Sequence, residues 1–383
     1  MAVYLMDTTD LTKIASAIRA KGGTSDSLVY PDGFVTAIQA IQTGTELKII
    51  VSVASGAAVT ATKGSLSVSG TSVNGACTLV VPEEGEWTVS ATLDGKTSDS
   101  NIVNVVSSYD TVLEFVSAST TLNDNSWETI RKISDAGTGA NYWSVGDCKE
   151  VTLNGTVGHL TLSNYTTYAF IIGFNHNSSV EGANRIHFQL AKTVLSGGAD
   201  VCFCDNKYGP DSKWPSPGAG YFVMNASNTS SGGWEISQMR TNICGTSLSS
   251  YSGTIIAVIP EALRAILKSI TKYTDNTGGG SGSVAKNITA TTDYFFLLSE
   301  YEVFGTIVNA NSNEASKQAQ YAYYSAGNSK IKYKHDGTST AAIWWLRSPA
   351  ANSPSSFVYV FFDGTVNATP AGYSLGFAPG FCV

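Results

Sequence analysis

Charge is what this chain has least of. Only 14% of its 383 residues are Asp, Glu, Lys or Arg, against roughly 25% in ordinary soluble domains. With 23 basic and 30 acidic residues the formal net charge is -7. No basic stripe is available to neutralise phosphates, which excludes nucleic acid as a partner. A cluster of Lys and Arg that would seek anionic lipid is missing too. No run of 18 apolar residues occurs, so no membrane insertion is expected. The start, MAVYLMDTTD, lacks a basic region leading into an apolar one, so synthesis without a secretory address is expected. Cysteine is sparse: Cys77, Cys148, Cys202, Cys204, Cys244 and Cys382 are too scattered for a disulfide scaffold and read as small buried hydrophobes. HExxH, GxSxG and CxxC are absent, and His159, His176, His187 and His335 show no ligand spacing. The C-terminal segment offers one carboxylate, Asp363, where glycoside hydrolysis needs two, and no oxygen cluster of the calcium type. These absences point away from an enzyme, a cofactor and a metal. Cys202 and Cys204, with Cys244, remain the one metal-like alternative.

What is present is 37 Gly, 18 Tyr and much Ser, Thr and Asn within a 43% hydrophobic chain. That composition suits a mainly β protein with some α, in two or three domains. In residues 1–45, Leu11, Ile14, Ala15 and Ile18 recur at helical spacing and Gly22-Gly23 ends that helix. A second helix, with Phe34, Val35, Ile38 and Ile41 on one side, follows YPDG. Two short helices bury little alone, so a module that packs on a partner or on its own copies is expected. Residues 46–107 alternate (LKIIVSV, CTLVV, EWTVSATL, NIVNVV) with a hairpin signal at Asp94-Gly95, and predict an immunoglobulin-like β-sandwich spacer around Trp87.

The remainder, 108–383, has few helices and many short strands. SWETIRKIS predicts a helix capped by Asn125 or Ser126, with Trp127, Ile130 and Ile133 inward. A second is predicted from Pro260 to Ile270, proline at its first position. Thr277–Ser283, TGGGSGS, reads as a flexible loop, since no Walker pattern follows. Arg347, Glu300 and Glu302 invite catalytic roles, but a guanidinium beside two tryptophans reads better as a partly buried group paired with a carboxylate. From Ile343 to Val383, Trp344, Trp345 and Leu346 at one end and Phe377, Pro379 and Phe381 at the other read as core anchors bracketing a binding surface. In FVYVFF, Val358 and Val360 share one strand face and Phe357, Tyr359 and Phe361 the other, with Phe357 open between the two. The candidate ligand contacts are Asn352, Ser353, Ser355, Ser356, Tyr359, Phe361, Phe362, Asn367, Thr369, Pro370 and Tyr373.

AIRAKGGTSDSLVYPDGFVTAIQAI resembles the N-terminal modules of phage tail-associated proteins. The succession SWETIRKISDAG, YWSVGDCKEVTLNG, AFIIGFNHN, KYTDNTGGGSGS, FFLLSEYEVFG, QYAYYSAGNSKIKY and WWLRSP is similar to C-type-lectin-fold domains of phages and prophages, among them the variable proteins of diversity-generating retroelements. The resemblance implies an α+β lectin-like domain over 108–383 with a variable-type segment at 343–383. It also implies a virion tail adhesin that binds a host cell-surface protein or glycan, joins other tail proteins through its N-terminal module, and forms a homotrimer. A prophage- or bacterium-encoded surface adhesin, and a formylglycine-generating oxidase on the same fold, are the alternatives. One departure stands out: the closing turn is Gly376-Phe377-Ala378-Pro379, where related domains commonly have a Gly-Val-Arg-Pro-like sequence.

Overall fold

The computed structural model describes residues 8–22, 28, 34, 46–53, 55–93, 96–98, 100–107, 110–114, 118–209 and 218–383. The chain divides into two compact units, 1–117 and 118–383. Strand accounts for 38% and helix for 19%, so the protein is mainly β with short helices, in several open sheets. Among the described residues no helix is long and apolar enough to cross a membrane.

In the first unit, helix α1 (Thr8–Gly22) buries Ala15 and Ile18 with Phe34. The second predicted helix lies outside the described residues apart from Phe34, as does the Asp94-Gly95 turn. Strands β1 (Lys48–Ser52), β4 (Ala76–Val80) and β8 (Thr111–Glu114) form one sheet in the order β4-β1-β8. The other sheet holds β2 (Ala58–Lys63), β3 (Leu66–Thr71), β5 (Gly85–Leu93), β6 (Lys96–Thr97) and β7 (Asn101–Val105). The strict alternation of β4, exposed then buried, turns Cys77 and Leu79 into a core shared with Ile49, Val51, Val59 and Val89. Trp87 is fully buried there, and its indole N–H donates to the Glu83 carbonyl at 3.0 Å, so the large ring leaves no unmet donor.

The second unit is organised by a sheet in the order β15-β21-β11-β10-β9. Its strands are β9 (Cys148–Val157), β10 (Leu160–Phe174), β11 (Ile186–Lys192), β15 (Phe295–Phe296) and β21 (Gly380–Cys382). The last strand of the chain is thus held between two others, Phe381 lying opposite both Phe188 and Phe295. Helix α2 (Trp127–Asp135) starts at Ser126, whose hydroxyl accepts from the Thr129 N–H, and buries Trp127, Ile130 and Ile133. Trp127 meets Phe188 edge-on at 5.7 Å, which docks the helix on that sheet.

The helix predicted from Pro260 to Ile270 is shorter: it spans Glu261–Arg264 only. Arg264 turns back onto the carbonyls of Ile256 and Ile259, the Lys268 N–H donates to the Cys382 carbonyl, and Ile270 already begins a strand. Sheet pairing outcompetes the helical pattern there. Small sheets complete the unit: β12 (Val201–Cys202) with β16 (Lys332–Lys334) and β17 (Gly337–Ala342), and β13 (Ile270–Asp275) with β14 (Ile288–Asp293). A last small sheet joins β18 (Trp344–Pro349), β19 (Ser356–Val360) and β20 (Val366–Pro370) in that order.

Candidate functional site in the C-terminal segment

Every residue of β18 is buried, so WWLRSP is a core strand. Trp344 and Trp345 spend their indole donors on the carbonyls of Lys330 and Phe222. Arg347 is fully buried and grips both oxygens of Glu302, with Nη2 to Oε1 at 2.9 Å and Nη1 to Oε2. Its Nε donates to Thr274 Oγ1 at 2.8 Å and Nη1 to the Leu297 carbonyl at 2.9 Å. Burial by itself would raise the Glu302 carboxyl, but the Arg347 guanidinium and the Lys272 ammonium override it and hold it well below the usual range. Glu302 also closes a capping box with Ser299 at the start of the short helix Glu300–Phe304. Glu300 accepts from the backbone N–H groups of Val308, Asn309 and Ala310, fixing a loop that bridges Ala310 to Ala350. Neither carboxylate faces solvent, and both organise backbone.

The closing turn is equally fixed. Phe377 exchanges two backbone bonds with Phe203, at 2.8 and 2.9 Å, and Gln189 donates to the Ala378 carbonyl at 3.1 Å. A Cβ on Gly376 would stand 2.3 Å from Cys202 Sγ, so the cysteine fills the place beneath that glycine. Cys202 and Cys204 have their sulfurs 3.9 Å apart, and all six cysteines are free and buried.

The predicted flexible loop Thr277–Ser283 is built into this frame. Gly279 N–H donates to Ser230 Oγ, which in turn donates to the Ser353 carbonyl at 3.0 Å, and the Ser230 N–H donates to the Pro354 carbonyl at 2.8 Å. Gly278 has φ +55°, and a Cβ there would sit 1.8 Å from the Ser230 carbonyl oxygen. The glycines allow close backbone approach; they do not loosen the chain.

On this scaffold the sequence candidates separate. Asn352, Asn367 and Phe362 are exposed, Phe362 to 48%. Ser353, Ser355, Phe361, Pro370 and Tyr373 are half-buried. Ser356, Tyr359 and Thr369 are buried, at 7%, 7% and 8% exposure. Three outward aromatics on one strand face are therefore not found: Phe357 is fully buried and Tyr359 nearly so. All five residues of β19 are buried, so a two-faced reading of the alternation does not apply to it. Tyr359 packs edge-on against Trp345, lies opposite Asn367, and leads to Phe361 at 6.1 Å. Phe361 and Phe362, with ring centroids 3.9 Å apart, carry the aromatic surface at the β19–β20 turn, whose geometry Asp363 sets by accepting from the Thr365 N–H and hydroxyl. The Ser353 hydroxyl bonds Ser356 at 2.8 Å. The support from Asn228, which accepts from the Gly372 N–H, and from Ser230 was not anticipated; both lie over a hundred residues upstream in an ordinary polar stretch.

Titratable groups with no sequence spacing also meet in the interior. His176, Glu181 and Glu302 place candidate ligand atoms within 4.8 Å of one another. The Lys272 ammonium, however, stands 2.9 Å from each carboxylate and 2.8 Å from the Tyr321 hydroxyl. Two carboxylates there face two cations, Lys272 and Arg347, so a divalent ion would add uncompensated charge. Burial drives His176 down to about 3 and His187 well below its usual value, so both imidazoles are neutral, while burial pushes Glu181 up to about 7. The donor set fits a structural charge cluster rather than a metal centre.

Residues 221–383 match the family model described as a domain of unknown function (DUF6273). No curated protein matches the chain.

Proposed function

We propose that the protein is a phage tail adhesin that recognises a host cell-surface protein or glycan non-covalently, through a C-type-lectin-like domain formed by the second unit, residues 118–383. The observation that carries the reading is the contrast within the C-terminal segment. An almost wholly buried frame, locked by Arg347 and Glu302, presents exposed Phe362 and half-buried Phe361 at the β19–β20 turn with Asn367 near them on β20, while Asn352, Pro370 and Tyr373 reach the surface at the other end of β19. Rigid aromatics with adjacent amides give contact area and hydrogen bonds at small entropic cost, as in antibody paratopes. Their neighbours Tyr359, Ser356 and Thr369 act from below, by holding the strand.

In this reading the N-terminal module joins other tail proteins, the β-sandwich of the first unit, closed by β8, is an immunoglobulin-like spacer, and the assembled protein is a homotrimer. Several copies on one particle raise effective affinity by roughly 10² to 10⁴. The protein has no catalytic role in this reading. The test is mass spectrometry of purified tail particles together with adsorption assays. Presence of the chain in the particles, and block of adsorption by the free chain, support the proposal. Absence from the particles contradicts its placement in the virion.

A further inference from the structure

A second polar site lies away from the C-terminal segment, at the end of α2. A cavity of about 440 Å³ opens there, lined by Arg131, Asp135, Arg185, Lys268, Ser269 and Tyr294 among others. Its volume is in the range of small-molecule sites. Three cations and one carboxylate leave this lining two charges positive, in a chain whose net charge is -7. Asp135 is shared by Lys268, at 2.7 Å, and by Arg131, at 2.8 Å. Among the described residues Arg185 has no carboxylate within ion-pair distance.

Two features make the Arg185 position a built one. Its guanidinium lies over Gly182, where a Cβ would come within 2.8 Å of Nε and 3.0 Å of Nη2, so glycine clears the seat. Its Nε and Nη1 are buried and find no acceptor among the described residues, although a buried cationic donor without one is strongly disfavoured. Ser269 and Tyr294 bring to the same cavity hydroxyls that make no hydrogen bond among the described residues. Two hydroxyls without partners and an unbalanced positive charge meet at this opening, and an oxyanion satisfies both.

We propose that this cavity binds a small molecule carrying a dianionic phosphate group, with Arg185 and Lys268 supplying charge and Ser269 and Tyr294 hydrogen bonds. A dianion matches the surplus of two, and the volume leaves room for an organic portion. The site is independent of the adhesin reading and shares no residue with the C-terminal segment.

The experiment is calorimetric titration of the full chain with inorganic phosphate, a hexose phosphate, acetate and the neutral hexose, at constant ionic strength in chloride. Saturable one-to-one binding of the two phosphates, and not of acetate or hexose, is expected. Equal affinities assign the cavity to the free anion, and tighter hexose phosphate assigns it to the ester. Arg185→Gln is expected to weaken binding roughly tenfold or more. Should that variant fail to fold, the Ser269→Ala/Tyr294→Phe pair decides, with a loss of several-fold expected. Absence of saturable phosphate binding, or unchanged affinity in a folded variant, overturns the proposal.

Discussion

Replacing Arg347 by alanine tests what holds the C-terminal frame. The substitution removes both bonds to Glu302, strips the donor from Thr274 Oγ1 and from the Leu297 carbonyl, and leaves a void at a fully buried position. Glu302 keeps Lys272 and the Ser299 N–H, so its charge is only half compensated. Breaking one side of a buried ion pair costs about 3–5 kcal/mol. For a unit of this size that is a fall in Tm of roughly 6–15 °C. The pH dependence supplies a second signature. In the wild type the depressed Glu302 carboxyl contributes stability that is present above its unfolded pKa and lost as pH falls through the folded one. Without the guanidinium the folded pKa rises, so this contribution shrinks at neutral pH and the window over which it is lost narrows from its acid end. Calorimetric scans of the full chain from acid to neutral pH give both quantities. A Tm for Arg347→Ala within about 1 °C of wild type would refute the reasoning.

Other perturbations have equally definite outcomes. Burial pushes Glu314 up to about 7, so between its unfolded pKa and that value the folded state holds the extra proton and stability falls as pH rises. Glu314→Gln should flatten that slope and be relatively more stable at pH 8, as urea denaturation at several pH values would show; an unchanged slope contradicts the assignment. Trp87→Ala should cost the first unit about 3–5 kcal/mol, read as an early transition in melting of the full chain; a single unshifted transition contradicts the core role. Gly278→Ala combines a left-handed backbone with a 1.8 Å clash against Ser230 and should destabilise by about 2–3 kcal/mol. It should also displace Ser353 and Pro354, which exchange at the Ser353, Ser355 and Ser356 amides would report; protection equal to wild type would show that the loop yields without moving them.

The sequence makes the second unit's first helix legible because its signals are local: a Ser126 cap and three apolar residues at helical spacing. It makes Arg347 legible as an ion-pair partner because a charged group between tryptophans and prolines has no cheaper environment. Two kinds of information were hidden. β19 is covered on both faces, so a pattern read as two-sided placed Tyr359 outward and left Phe357 open, whereas both are buried. The closure of the Pro260 helix after Arg264, and the seating of the glycine loop on Ser230 and Pro354, depend on partners far along the chain. The histidine and glutamate cluster is of the same kind, since Lys272 and Glu302 reach Glu181 only through the tertiary fold. Local spacing carries no trace of such meetings.

The measurement that bears most directly on the adhesin reading is binding of the labelled full chain to candidate host cells, beside a Phe361→Ala/Phe362→Ala variant with unchanged Tm. Phe362 is exposed and Phe361 only half-buried, so the variant should fold. Saturable binding that the variant loses is the predicted result. Equal binding by both forms would place the ligand elsewhere and contradict the assignment of this surface.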